Sequence, residues 1–177
     1  MNHQEFFSKL PDNRNFFFDL VDPSSRSEAD ILDMLEVLKR FSDSGRVTLG
    51  LNQNEANILS RLTGCSPEAA TDPETALIEC ADLKRQLQIE SVVIHSIRYA
   101  VGCDAETSAS VTGPYCEQPQ KSPGAGDRFN AGYALGEVLN CEMKDRLTLA
   151  CASSGFFVRQ ARSAALEELS EFLKDWV

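Results

Sequence analysis

A continuous apolar run, Phe16-Phe17-Phe18-Asp19-Leu20-Val21, opens the regular part of the chain and reads as a strand covered on both faces, as in a parallel sheet. Asp22-Pro23 ends it. Ser27 followed by Asp30 is a capping-box pattern, and Ile31, Leu35, Leu38 and Phe41 then recur at helical spacing, with Gly45 as the stop. Val47 to Leu51 reads as a second strand, and Asn52 opens a helix that ends near Gly64. Residues 73–87 predict a further helix and residues 91–95 a third strand. The polar, Thr/Ser-rich stretch 104–113 predicts short antiparallel strands, and a loop with Pro114, Pro119 and Pro123 follows. Helical patterns return at about 127–140, 144–160 and 163–175, the last with Leu166, Leu169, Phe172 and Leu173 on its inner side. Strands alternating with helices predict an α/β layered fold with a mostly parallel sheet, and 177 residues fit one domain over 1–177.

Composition supports a folded chain and narrows its partners. Hydrophobic residues make up 42% and charged residues 25%, enough for a core. Seventeen Lys+Arg against 27 Asp+Glu leave a net charge of −10, which argues against nucleic acid or an anionic membrane as the main partner. A small phosphate ligand stays open, because a few backbone donors suffice to hold one. No run of about 18 apolar residues predicts a membrane span. Met1-Asn2-His3-Gln4-Glu5 lacks the basic and apolar segments of a signal peptide. Six scattered cysteines with two histidines do not fit paired zinc ligands and read as reduced thiols of a cytoplasmic protein, several of them buried.

The most informative stretch is Lys121-Ser122-Pro123-Gly124-Ala125-Gly126-Asp127-Arg128-Phe129-Asn130-Ala131-Gly132. Small residues at 124–126 let the backbone approach a ligand, and the helix that follows aims free N–H groups and a positive dipole at the same place. That builds an anion hole with Asp127 in the first helical turn. An ordinary glycine-rich turn capped by Asp127 would use the same four residues. Ala131 and Gly132 suit close helix packing.

From Lys121 to Ala134 the string resembles the C-terminal signature of the PfkB, or ribokinase-like, carbohydrate kinases. Leu51-Asn52-Gln53-Asn54-Glu55-Ala56 resembles the family's Asn-x-x-Glu segment, although Asn52 with Glu55 is equally a capping box. Asp19 to Arg26 resembles the family's strand followed by Asp-Pro-x-x-Arg, and Ala150 to Val158 its small-residue helix behind the nucleotide. The resemblance implies a three-layer αβα sandwich without the family's N-terminal sugar-binding part and β-lid, either as a fragment or as a product that has lost its sugar half. It implies ATP and Mg2+ as cofactors and a sugar or sugar-like hydroxyl as acceptor once the front part is supplied. Asp127 would be the general base, Gly124, Ala125 and Gly126 the anion hole, and Asn52 and Glu55 would order the magnesium, Glu55 through water. Cys151 would stand near the adenine; a small buried thiol in a packed helix explains it as well.

Departures accompany the matches. Where family members carry Gly-x-x-Gly after the third strand, this chain has Ile97-Arg98-Tyr99-Ala100. Bulky Ile97 should hinder backbone approach, while Arg98 could meet phosphate by charge or remain a solvated surface arginine. Lys121 stands where members that need a monovalent cation often carry Asp; its ammonium could take the cation's place, or it is an exposed loop lysine. His95 reads as a strand-end residue without chemistry, and the Phe16–Phe18 run as core. A non-catalytic binding or assembly module derived from the kinase fold is the alternative function. In either case a sheet lacking its front half exposes an edge that a partner or a second copy would cover. A dinucleotide site is a poor fit, since Asp22-Pro23 occupies the turn where Gly-x-Gly-x-x-Gly would follow the first strand.

Overall fold

A computed structural model describes residues 14–20, 22–65 and 69–176; Met1–Glu5 and Val21 lie outside them. Strand β1 (Arg14–Asp19) is built from the phenylalanine run but is only half-buried, because it stands at the edge of the described sheet rather than inside it. Both of its faces meet helices, as expected of such a run, with Phe16 and Phe18 toward one core and Phe17 toward the other. Helix α1 (Glu28–Ser42) starts at Ser27, whose Oγ accepts the Asp30 N–H at 3.2 Å. It buries Ile31, Leu35 and Leu38, and Phe41 packs edge-on against Phe16 and Phe18 with ring centroids 5.1 and 4.9 Å apart.

Gly45 does not stop that helix. Asp43 caps it, and Gly45 is the first residue of β2 (Gly45–Asn52). A β-carbon there would lie 2.5 Å from the Arg14 carbonyl oxygen, so the close approach of β1 to β2 needs glycine. Helix α2 (Gln53–Thr63) ends at Gly64, which takes the left-handed conformation at φ 72°. Helix α3 (Pro73–Leu87) begins at Asp72, whose carboxylate accepts from the N–H groups of Glu74 and Thr75. Strands β3 (Ser91–His95), β4 (Tyr99–Cys103) and β5 (Ser108–Thr112) follow. Helices α4 (Ala125–Val138), α5 (Met143–Gln160) and α6 (Leu166–Trp176) complete the described chain.

The strands lie in the order β1-β2-β3-β4-β5. β1, β2 and β3 are parallel, with Asp19 opposite Gly50 and Asn52 opposite His95, whereas β4 and β5 turn back as an antiparallel meander. Only β5 falls inside the expected 104–113 stretch. Its partner β4 has no polar alternation because helices cover both of its faces.

Side chains of the sheet divide between two cores. Phe16, Phe18, Val92, Ile94, Val101 and Cys103 face α1, α2 and α3, while Phe17, Val93 and Ala100 face α4 and α5. This strict alternation makes a three-layer αβα sandwich. Helices α4 and α5 pack closely at Gly132 and, one turn on, at Gly136. Ala131, expected to share that role, is exposed on the opposite side. In α6 Leu169 is buried and Phe172 meets Phe156 edge-on at 6.1 Å, but Leu166 is 73% exposed because it is the first residue of the helix and precedes the packed turn. Among the described residues no helix is long and apolar enough to cross a membrane.

Candidate functional site

The carboxyl ends of β1, β2 and β3 converge on the amino end of α4, the crevice where open α/β sheets hold ligands. Gly124 caps α4 in the left-handed conformation, φ 92°, which an L side chain adopts only with strain. The turn it makes sets the first donors of the helix. Ala125 N–H is already used, donating to the Ser122 carbonyl at 3.0 Å. The N–H groups of Gly126 and Asp127 donate to no acceptor among the described residues and so stand free at the positive end of the helix. Asp127 is exposed beside them.

At the end of β2, Asn52 and Glu55 form a complete capping box. Asn52 Oδ1 accepts the Glu55 N–H at 2.9 Å, and Glu55 Oε2 accepts the Asn52 N–H at 2.9 Å. Burial pushes the Glu55 carboxyl up from its ordinary range, and the negative charges of Asp19 and Asp22 push it further. Burial also raises Asp19; a hydrogen bond from the Asn130 side chain opposes this, and the charge of Asp127 adds to it. Four carboxylates thus share one electrostatic neighbourhood, although the described residues contain no group of three side chains set to ligate a metal directly. Asn130 is 8% exposed, lies one helical turn beyond Asp127, and its Oδ1 accepts from no described residue.

His95 ends β3. Its ring stacks on Phe129 at 4.6 Å between centroids, and a β-carbon on Gly126 would lie 3.6 Å from it. Burial pushes its imidazole down to about 4, so it is neutral at physiological pH. From this point a cavity of about 700 Å³ opens between the β3–β4 turn, the 113–119 loop and α5. Asn52, Gln53, His95, Ala125, Gly126 and Cys151 line it.

The structure therefore brings Asn52, Ala125, Gly126 and Cys151 to one cavity, with Glu55, Gly124 and Asp127 beside it. Burial pushes the Cys151 thiol up to about 12, as for an inert thiol in a wall. Ile97 borders the cavity and is 78% exposed. Arg98 stacks its guanidinium over the Tyr115 ring at 4.2 Å. Lys121 is exposed, with Nζ 5.4 Å from the Phe157 ring, which Arg128 also approaches at 5.2 Å.

Four residues of this region carry no role in the sequence reading: Asp19, Gln53, His95 and Asn130. Gln53 is held by the Tyr99 hydroxyl, which donates to its Oε1 at 3.0 Å, and by Glu79, whose Oε2 accepts from its Nε2 at 2.7 Å. Asp19 and His95 are both the last residues of their strands, and that position is the one signal that could have found them.

Known proteins resemble this chain in sequence and in fold. The sequence model of a family described as prokaryotic ketohexokinase matches residues 5–176. The ketohexokinase of Haloferax volcanii is 27% identical over 143 residues, which make up 81% of this chain and 36% of that protein. Phosphofructokinase-2 of Escherichia coli, solved in complex with substrates and products, superposes with a TM-score of 0.68 at 15% identity, covering 98% of this chain and 60% of that one. An Escherichia coli protein assigned to ribokinase II, solved with ATP and Mg2+, superposes with a TM-score of 0.63 at 20% identity, covering 89% of this chain and 48% of that one. The two structural likenesses show a ribokinase-like fold. The chain spans about a third of the length of its curated relative and between half and three-fifths of the structural ones.

Proposed function

Because this chain belongs to the prokaryotic ketohexokinase family, among the PfkB-like carbohydrate kinases, we propose that it forms the nucleotide side of an ATP-dependent phosphoryl transfer to a sugar hydroxyl. The observation that carries this reading is the pair of free N–H groups on Gly126 and Asp127, opening beside an exposed carboxylate onto a cavity of about 700 Å³. Such donors stabilise charge on the three equatorial oxygens of a transferring phosphoryl group. Asp127 is the general base: it accepts the proton of the acceptor hydroxyl as that oxygen attacks the γ-phosphorus. The nucleotide lies between the β3–β4 turn and α5, with its base toward Cys151.

The donor set also fits a hydrated magnesium ion. Burial and the charges of neighbouring carboxylates raise Glu55 and Asp19, and a divalent cation near them offsets both. Glu55 would hold it through water, with Asn52 fixing the turn. The ion supplies charge neutralisation on the phosphate oxygens. The sugar pocket belongs to whatever completes the length that the relatives have and this chain lacks.

Thermal unfolding with and without Mg-ATP tests the reading. Nucleotide at 100 times its Kd adds about 2.7 kcal/mol and raises the unfolding temperature by several degrees. Gly126→Ala should abolish that rise while folding normally, because its β-carbon meets only His95, at 3.6 Å, and would project at the ligand's place. Asp127→Asn should keep the rise and lose transfer to a sugar panel in a longer, active form, by roughly 100-fold or more. A cooperatively melting chain that Mg-ATP does not shift would overturn the nucleotide reading and leave the assembly module.

A further inference from the structure

Two thiols lie in the core between α3 and the sheet and play no part in the reading above. Cys80, in the middle of α3, and Cys103, the last residue of β4, place their sulfurs 3.2 Å apart. Cys80 Sγ also donates to the Val92 carbonyl at 3.2 Å. They are 0% and 3% exposed. The two are unequal: burial and the neighbouring thiol push Cys80 well up, whereas the contact with the Cys80 sulfur holds Cys103 down, helped by the charge of Lys84. A disulfide needs the sulfurs to close to about 2.05 Å, roughly one ångström nearer than they stand.

We propose that Cys80 and Cys103 form a reversible dithiol–disulfide site that takes a hydroperoxide as oxidant and, once closed, acts on the cavity wall through Gln53. Cys103, on giving up its thiol proton, attacks the peroxide O–O bond; its sulfur gains a hydroxyl to become a sulfenic acid, and the second oxygen leaves as water with that proton. Cys80 then attacks that sulfur as its thiol proton passes to the departing hydroxyl, which leaves as a second water. The two thiols together lose two electrons and two protons, and the peroxide is reduced to two waters. Hydrogen peroxide is small enough to reach the pair through local opening of the fold.

The link to the cavity runs along α3 and β4. Glu79 precedes Cys80 on α3 and grips Gln53 Nε2 at 2.7 Å; Tyr99 begins the strand that Cys103 ends and grips Gln53 Oε1 at 3.0 Å. Drawing α3 and β4 together by about one ångström therefore moves both holds on a side chain that lines the cavity.

Peptide mapping of the purified 177-residue chain after hydrogen peroxide and alkylation of the remaining thiols tests the site. The expected result is a cross-linked peptide pair containing Cys80 and Cys103, lighter than the reduced peptides by two hydrogens, restored by dithiothreitol and absent from Cys80→Ser and from Cys103→Ser. Alkylated Cys80 and Cys103 in a sample whose more exposed Cys65, Cys116 and Cys141 are already oxidised would overturn it, and this wild-type result decides even if a serine variant fails to fold. The action on Gln53 rests on the nucleotide reading and has its own readout, the Mg-ATP shift of oxidised against reduced chain. A smaller shift after oxidation is expected, and an equal shift overturns the coupling. Absence of any shift in the reduced chain instead counts against the nucleotide reading and leaves the mass result standing.

Discussion

His95 is where the cavity and the core meet, and its titration is a property of that position. With the imidazole pushed down to about 4 from 6.5, the native state binds fewer protons than the unfolded chain in the interval between. Its contribution is complete above pH 6.5 and is lost as pH falls toward 4. His95→Gln should therefore lose less stability than the parent between pH 7 and pH 5, by on the order of 2 kcal/mol, in urea unfolding at the two pH values. Equal losses would show that the ring is not desolvated in the native state. The same residue shows how far a sequence reaches at this scale. Gly124, Ala125, Gly126 and Asp127, with Asn52 and Glu55, were legible because turn and cap chemistry is local and leaves its mark within four or five positions. Asp19, His95 and Asn130 were not, because Asp19 meets Glu55 and Asn130, and His95 meets Gly126, only through sheet register and the placement of α4.

Among the elements, α4 and α5 join closely through Gly132 and Gly136. A β-carbon at Gly132 would stand 2.7 Å from the Leu149 carbonyl oxygen and 2.8 Å from Ala150 Cα, both backbone atoms with no rotamer to yield. Gly132→Ala should destabilise the chain by about 1–3 kcal/mol through overpacking, despite the better helix propensity of alanine. The midpoint of urea unfolding measures it, and an unchanged or higher midpoint would mean the helices can separate without loss. Element identity followed from pattern where one rule governed it: α3 and β3 lie where spacing put them, bounded by Asp72-Pro73 and a buried apolar run. It failed where tertiary contacts overrode the local signal. Gly45 looked like a helix stop but serves a strand–strand approach, Ala131 looked like the packing residue where Gly136 is, and β4 hid because both its faces are covered.

Across the whole molecule, a net charge of −10 works against compactness, since the folded state crowds charges that the unfolded chain separates. The unfolding temperature at neutral pH should rise as salt is raised from about 10 mM to 150 mM, where the screening length falls from about 30 to 8 Å. Calorimetry at the two salt concentrations checks this, and a fall on adding salt would show that ion pairs such as Arg146–Asp104, at 3.6 Å, outweigh the general repulsion. The sheet itself is made of two unlike halves. Between β1 and β2, and between β2 and β3, the chain must travel through whole helices before the strands can pair; from β3 to β5 it needs only tight turns. Closing a short loop costs less chain entropy than closing a long one, so the meander is the part that can assemble early, and the parallel pairings of β1 and β2 are the costlier ones to close. The site straddles this seam. His95 and Ile97 are set by the early half, whereas Asp19 and Asn52 wait for the late one, and the order reverses when the molecule breathes. The carboxylate side of the crevice is then the first to let go, while the cavity wall at His95 and Ile97 is still standing.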